Sequence, residues 1–395
     1  MKVGLSTSVI QRGQSGVAQY VFALVAALLR HPARTDLTLF VLEDDVPLFN
    51  FARENARIVP VSERVRSPVK DILWHHTLLP LLARDRRLDV LHVPSYRRML
   101  WPRPCALVTT IHDLAPFHVA GKYDWKRMFY GRIVARSLAH RQDKIIAVSQ
   151  NTGTDILGCF RVPAEKISMI HNGLDHTRFS PDATEAAKQF VTQRFDLPEP
   201  FFLYLARLEH PGKNHVRLIE AFNRFKAETR SEWQLVFGGS DWHGAQTIHA
   251  AIGQSPFRSD IRRLGFVEHD ALPMLYRAAT VFVYPSLFEG FGFPPLEAMA
   301  CGTPVLCSTR GALGEVVSNA AATVNPEDVT ALTTQLAALA CDPALRAKLR
   351  AAGLARARRF DWQRTASKTL EVYTAALEAE TAPGSVTVVR QAIEN

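Results

Sequence analysis

Short apolar runs alternate with longer helical patterns along the whole chain. In the first half KVGLSTS reads as a strand and VAQYVFALVAALLR as the apolar helix that follows it. LTLFVLE, LDVLHVPS, CALVTTIHD, KIIAVS and KISMIHNG are further strand-like runs, each preceded by polar or helical sequence. The second half repeats the plan. FFLYLAR, WQLVFGG, TVFVYPS and PVLCS are compact apolar runs, separated by HVRLIEAFNRFKAE, ALPMLYRAA and PPLEAMA. Strands alternating with helices of this length imply right-handed βαβ units and parallel sheets. Between the halves FSPDATEAAKQFVTQRFDLPEP is polar and proline-rich, and reads as a linker. Near the end FDWQRTASKTLEVYTAALEAE forms a long amphipathic helix after ARARRF, placed to return and brace the first domain. The tail after Ala382 reads as frayed, and no repeat of 20–50 residues occurs.

These patterns predict an α/β protein of two Rossmann-like, doubly wound parallel-sheet domains facing each other across a cleft. Residues 1–180, with the returning helix 362–395, make the first domain, and 181–361 the second. Open parallel sheets bind ligands at the carboxyl ends of their strands, which makes the cleft the expected site.

Composition agrees with this reading. A chain of 395 residues exceeds what one core usually supports. Its 47% apolar and 22% charged residues are those of an ordinary globular protein. The five cysteines, at 105, 159, 301, 307 and 341, form no C-x-x-C pair and are odd in number. That speaks against a disulfide framework or a zinc site and for a reducing cytoplasm. The start, MKVGLSTSVI, has no signal-peptide core, and the run Val17–Leu29 is too short to span a bilayer.

Charge is uneven. Residues 1–180 hold 25 lysines and arginines against 15 acidic residues, whereas the remainder holds 22 against 23. The first half therefore suits something anionic: a phospholipid surface, a phosphorylated acceptor or nucleic acid. Solvated basic faces without a partner are the plain alternative. Two segments, SERVRSPVKDILWHHTLLPLLARDRR and KYDWKRMFYGRIVARSLAHR, mix basic with large apolar residues as interfacial helices do.

The chemistry concentrates in FEGFGFPPLEAMACGTPV. Glu289 and Glu297 stand eight positions apart there, in an apolar segment where an unpaired carboxylate is costly. TVFVYPS is the strand before it, LFEGFGF a loop at the strand's carboxyl end, and Pro294 and Pro295 suit a helix start. This places Glu289 at the strand tip and Glu297 in the first helical turn, both toward one crevice. Gly290 and Gly292 let backbone N–H groups approach a ligand, and a helix N-terminus favours phosphate. A glutamate that only complements the helix dipole is the plain reading of Glu297. In YLARLEHPGKN, Arg207 and Lys213 follow a neighbouring strand, where cations can neutralise a diphosphate.

Together these segments resemble the Glu-x7-Glu signature of the retaining family-4 glycosyltransferases with the GT-B fold. SGVAQYVFAL, TTIHDL, KIIAVSQNT, MIHNGLD, YLARLEHPGKN and GFVEHDALPMLYRAATVFVYPS carry the resemblance over almost the whole chain in the family's order. The resemblance implies an acceptor-binding first domain and a nucleotide-sugar-binding second domain. It assigns Glu289 to the donor sugar's hydroxyls and Glu297 to the ribose. Arg207 and Lys213 would balance the diphosphate, and the backbone around Phe291, Gly292 and Phe293 would line phosphates and sugar. It puts Val267 at the base, Gly16 at the diphosphate and His112 near the reacting centre. Two positions depart from the family pattern: Ala206 stands where glycine is common, and Gln19 where arginine is common.

The implied reaction is retaining hexosyl transfer, with fixed cations stabilising the leaving group. The basic, partly amphipathic first half makes a saccharide on a polyprenyl diphosphate the expected acceptor. HDLAPF and HNGLDHTRF are most similar to mannosyltransferases of polysaccharide assembly, which makes GDP-mannose the first expectation and a UDP-hexose the second. A phosphorylase or nucleotide-sugar hydrolase of the same fold is a third reading. The chain has no Asp-x-Asp motif, so neither a divalent metal nor another cofactor is expected. No G-x-G-x-x-G with a following acidic residue marks a nicotinamide site. No nucleic-acid reader motif accompanies the basic half, and the glutamate pair would go unexplained there. The expected setting is the cytoplasm, with a peripheral position at the inner face of the cell membrane as its extension.

Overall fold

The computed structural model describes residues 1–13, 15–118 and 130–381. Among these the chain divides into two compact units. One holds residues 1–117, 130–173 and 361–381, and the other holds 174–360 with His118. The handover falls between Gly173 and Leu174, a few residues before the expected position at 180. The expected frayed tail after Ala382, and residues 122–129 of the second basic segment, lie outside the described residues.

The first unit is built on a seven-stranded parallel sheet: β1 (Lys2–Ser6), β2 (Asp36–Leu42), β3 (Ala56–Val61), β4 (Val90–Val93), β5 (Ala106–Ile111), β6 (Lys144–Ala147) and β7 (Ile167–Met169). Its order is β3-β2-β1-β4-β5-β6-β7, so the winding reverses between β1 and β4. Every residue of β4 and β5 is buried, as expected of central strands covered on both faces. Helix α1 (Gly16–Arg30) starts at Ser15, whose hydroxyl accepts from the Ala18 N–H at 3.1 Å. Ala18, Val21, Leu24, Val25 and Leu28 then face the core at helical spacing.

The C-terminal helix Trp362–Thr381 packs in this unit against α1, β5 and β6. Tyr373 O–H meets His92 Nδ1 at 2.7 Å, and Thr365 Oγ1 donates to the His171 carbonyl at 2.8 Å. Backbone at Asp361 and Trp362 lies so close to Gly173 that a Cβ there would come within 2.2 Å of Trp362 N.

The second unit repeats the topology with six parallel strands: β8 (Phe201–Leu205), β9 (Gln234–Gly238), β10 (Ile261–Arg263), β11 (Val281–Tyr284), β12 (Val305–Ser308) and β13 (Ala322–Val324). The order β10-β9-β8-β11-β12-β13 reverses between β8 and β11. Phe202 pairs with Val281 and Leu203 with Phe282 across that switch point. All residues of β8 and β11 are buried. Open sheets form ligand crevices where strand order reverses, so the loops after β8 and β11 are the expected site of this unit.

The expected linker is instead largely a helix, Thr184–Phe195, packed against the helix Leu272–Ala278 within the second unit. Its polar face and flanking prolines mask Ala187 and Val191, four residues apart on one face and buried.

Candidate active site

The loop leaving β11 carries Glu289. Ser286, fully buried just beyond the strand, places its hydroxyl 2.7 Å from Glu289 Oε1. Tyr284 O–H, from the strand's last residue, donates to the same oxygen at 3.1 Å. Lys213 Nζ, from the loop after β8, donates to it at 2.6 Å. The two loops are tied by backbone as well, with Leu287 N–H donating to the Gly212 carbonyl at 3.0 Å. Adjacent sheet strands thus bring a cation and a carboxylate together at their carboxyl ends. Burial works against the Lys213 charge, but Glu289, Tyr204 and Glu209 around it together outweigh this and its pKa lies above the usual lysine value. Burial and then Glu289 push the Tyr284 hydroxyl well above the usual tyrosine range, so it serves as a donor.

Helix Phe293–Ala300 follows directly. Gly292 has φ 106°, where side chains rarely go, and a Cβ there would fall 2.6 Å from Leu313 Cδ2. The chain needs glycine to turn from the Glu289 loop into the helix. Phe291 is buried, its ring edge-on to Phe293 at 5.2 Å and to Phe360 at 5.9 Å.

Glu297 is the fifth residue of that helix rather than part of its first turn, which corrects the sequence reading. The two prolines open the helix at Phe293, one residue earlier than their own positions suggest. The dipole explanation for Glu297 weakens accordingly, since the effect fades within the first turn. Its Oε2 accepts from Tyr276 O–H at 2.8 Å. Burial raises its pKa above the ordinary 4.5, while Tyr276 and then Arg178 pull it back. Glu289 and Glu297 both push up the Tyr284 pKa, so that hydroxyl lies within the field of both carboxylates.

Arg207 sits just past β8, but its partner is not Glu289. Its guanidinium lies 4.5 Å from the centre of the Trp242 ring, and Nη2 is 3.9 Å from Glu209 Oε2. Backbone bonds from Leu208 to Ser240 at 2.9 Å and from Trp242 to Leu208 at 3.1 Å lace the two loops together. Val267 packs its side chain toward Gly238, at the end of β9. Beside it an open depression of about 700 Å³ is lined by Leu208, Gly239, Asp241, Arg263 and Phe266, among others.

Eight of the ten expected site residues thus belong to the second unit, around the β8–β11 switch point and the neighbouring end of β9. Gly16 and His112 belong to the first. Gly16 is the first residue of α1, and a Cβ there would meet nothing within 4 Å, so packing does not demand glycine. His112 follows β5 with its ring edge-on to Tyr20 at 4.7 Å. The ring bonds the Pro94 carbonyl, and Nε2 is buried with no partner among the described residues. Nδ1 therefore carries the proton and Nε2 is a bare acceptor. Burial lowers the His112 pKa to about 4, and the Pro94 bond only partly offsets that.

Sequence reasoning missed Tyr284, Ser286, Tyr276, Trp242 and Arg178. Tyr284 and Ser286 were within reach, because alternation along YPS puts them on one side of the chain. Trp242 and Tyr276 come from distant segments, and no spacing announces them.

Residues 14–178 match the glycosyltransferase family 4 model, and residues 186–356 match that of the group 1 glycosyl transferases. O-antigen chain mannosyltransferase B of Escherichia coli is 30% identical over 388 residues, spanning 94% of this chain and 99% of that protein. The chain belongs to the family-4 glycosyltransferases. Solved structures agree on the fold. Sucrose-phosphate synthase of Thermosynechococcus elongatus superposes with a TM-score of 0.77 at 20% identity, over 96% of this chain and 100% of that one. Anabaena HepE in complex with UDP and glucose gives 0.75 at 19%, over 95% and 100%. This glycosyltransferase therefore has the GT-B fold, with two Rossmann-like units and the Glu289–Lys213 pair in the second. Among its described residues no three His, Cys, Asp or Glu side chains group as metal ligands would.

Proposed function

We propose that this glycosyltransferase moves mannose from GDP-mannose to a saccharide carried on a polyprenyl diphosphate, in the assembly of a bacterial surface polysaccharide. The observation that carries this reading is the full-length likeness to an O-antigen chain mannosyltransferase, joined to the carboxylate–lysine pair at the sheet's switch point. Glu289 accepts from hydroxyls of the donor sugar, and Glu297 from those of the ribose. Lys213 and Arg207 neutralise the diphosphate as negative charge builds on it, and they are fixed before the bond breaks. His112 Nε2, neutral and without a proton, accepts from a hydroxyl of the transferred sugar.

Transfer proceeds on one face of the sugar with retention. The departing phosphate oxygen takes the proton of the attacking hydroxyl, and no metal takes part. No second carboxylate is assigned to the reacting carbon, so a double displacement of the glycosidase type is not invoked. The enzyme works at the cytoplasmic face of the membrane that carries its acceptor.

The test is a thermal-shift panel of GDP-mannose, GDP, UDP-glucose, UDP-galactose, UDP-N-acetylglucosamine and NAD. GDP-mannose and GDP are expected to raise the midpoint most. A larger shift with a uridine nucleotide would replace the donor, and a shift with NAD alone would overturn the reaction. Product anomer by NMR and turnover in excess chelator test retention and metal independence.

A further inference from the structure

Helices α2 (Pro68–His76) and α3 (Leu78–Asp85) lie on the first unit, between β3 and β4 in the chain. Their inner faces are well packed: Trp74, Leu79 and Ala83 join the buried cluster around Leu91 and Leu107. Their outer faces are apolar too. Val69 and Leu73, one turn apart on α2, and Leu78 and Leu81, one turn apart on α3, are each 55–70% exposed. Trp101 adjoins them, because its carbonyl meets His76 Nδ1 at 2.9 Å while its ring is 43% exposed. One exposed leucine is ordinary, but five large apolar side chains on one helix pair and its neighbour form a patch that asks for a partner.

The surroundings of this patch are basic. From Arg64 to Arg103 the chain has nine lysines and arginines against three aspartates. Asp71 is buried against Arg98 at 2.5 Å, and Asp89 accepts from the Lys2 N–H at 2.7 Å, so Asp85 is the exposed acid of this stretch. Lys70 stands beside Val69 and Arg84 follows Leu81 by one turn, both exposed, and the Arg141 guanidinium lies 4.7 Å over the Trp101 ring.

We propose that the outer face of α2 and α3, with Trp101, docks on an anionic phospholipid surface. Val69, Leu73, Leu78 and Leu81 enter the acyl boundary, Trp101 lies at headgroup level, and Lys70, Arg84 and Arg141 meet the phosphates. A bilayer supplies an apolar layer rimmed by negative charge, which complements an apolar centre rimmed by positive charge. A second copy of the chain would instead bring two basic rims together. The inference deepens the proposed reaction by naming where a lipid-carried acceptor is met, and it rests on that reading for this purpose alone.

The test floats full-length protein with vesicles of phosphatidylglycerol and phosphatidylethanolamine, and with pure phosphatidylcholine vesicles, at low and at high salt. The wild type is expected to float with the anionic vesicles, at least tenfold less with phosphatidylcholine, and less at high salt. The Leu73→Glu/Leu81→Glu variant, altered only at exposed positions, should lose at least tenfold in binding. It should keep its circular dichroism and its turnover on a water-soluble short-chain acceptor. A wild type that stays in the pellet fraction at low salt overturns the inference, as does a double variant that floats undiminished. A wild-type dimer that the double variant converts to monomer, without any flotation, assigns the face to self-association and also overturns it. Flotation as expected with no transfer to any mannosyl acceptor leaves the docking surface standing and removes the reaction proposed above.

Discussion

Lys213 Nζ and Glu289 Oε1 lie 2.6 Å apart, so the proposed leaving-group cation and the proposed sugar-binding carboxylate are one ion pair. Each is held by the other and by further bonds, Glu289 by Ser286 and Tyr284, and Lys213 by its backbone bond to the Glu209 carbonyl at 3.2 Å. Both side chains keep some solvent contact, which lowers the penalty for disturbing them. Lys213→Ala and Glu289→Ala are each expected to reduce turnover at least a hundredfold, the order of a lost transition-state charge contact. Each single change should also cost about 1–3 kcal/mol in urea unfolding, because the remaining partner is left uncompensated. The double variant should be more stable than the sum of the two predicts, yet no more active. Near-normal turnover in either single variant removes the pair from the reaction.

Tyr276 and Glu297 set a pH dependence whose sign follows from their hydrogen bond. Glu297 titrates above 4.5 because it is buried, and the Tyr276 bond holds that rise in check. Only the ionised form accepts two ribose hydroxyls at once, so donor affinity should fall as pH is lowered through the raised pKa. Tyr276→Phe removes the restraint and moves the fall to higher pH. Folding responds in the opposite sense: with its pKa raised in the folded state, Glu297 contributes stability below pH 4.5 and loses it as pH rises through the raised value. Calorimetric donor titrations between pH 5 and 8 check this. A fall that stays in place, or moves to lower pH in the variant, would show that Glu297 is not the titrating group.

Much of this arrangement was legible in the sequence, and what was hidden has physical reasons. Central strands such as VFVY, Val281–Tyr284, announce themselves because both faces are covered and the run is apolar and aromatic. β3, β10 and β13 went unread, and each is an edge strand with exposed or half-buried positions. β3 even carries Pro60, which an edge tolerates and a central strand does not. The glutamate loop was legible because glycine, proline and carboxylate in an apolar segment each break a local rule. The Trp242–Arg207 contact had no such mark, since tertiary folding alone brings the two loops together.

That contact yields the next prediction. With its guanidinium on the Trp242 ring and Glu209 at the outer limit of pairing distance, Arg207 is oriented chiefly by stacking. An exposed cation–π contact is worth about 0.5–1 kcal/mol. Trp242→Ala should therefore raise the donor KM by roughly two- to fivefold and leave kcat within about twofold. Trp242→Phe, which keeps an aromatic face, should restore most of the loss. Equal KM values in both variants would make Trp242 a surface residue with no part in holding Arg207.

His215 offers a stability test inside the second unit. It opens the helix His215–Thr229, packs its ring 4.6 Å from Tyr204 and 5.2 Å from Phe237, and is almost fully buried. Neither ring nitrogen has a hydrogen-bonding partner among the described residues. Burial, then Lys213 and His210, lower its pKa from 6.5 to about 3, so the folded protein holds it neutral. Unfolding frees it to take up a proton below pH 6.5, and the stability it contributes above that value is lost as pH falls toward 3. The slope for one such group is roughly 1 kcal/mol per pH unit. His215→Leu fills similar space without a group that must stay uncharged, and exchanging an unpartnered polar ring for an apolar side chain is close to neutral or stabilising. The thermal midpoint of the variant should therefore match or exceed the wild type at pH 7.5, and exceed it by more at pH 5. His92 and His112, lowered to about 3 and about 4 by burial in the first unit, leave a residual acid sensitivity in both proteins. A midpoint difference that does not widen between pH 7.5 and 5 would mean that His215 is hydrated or partnered in solution.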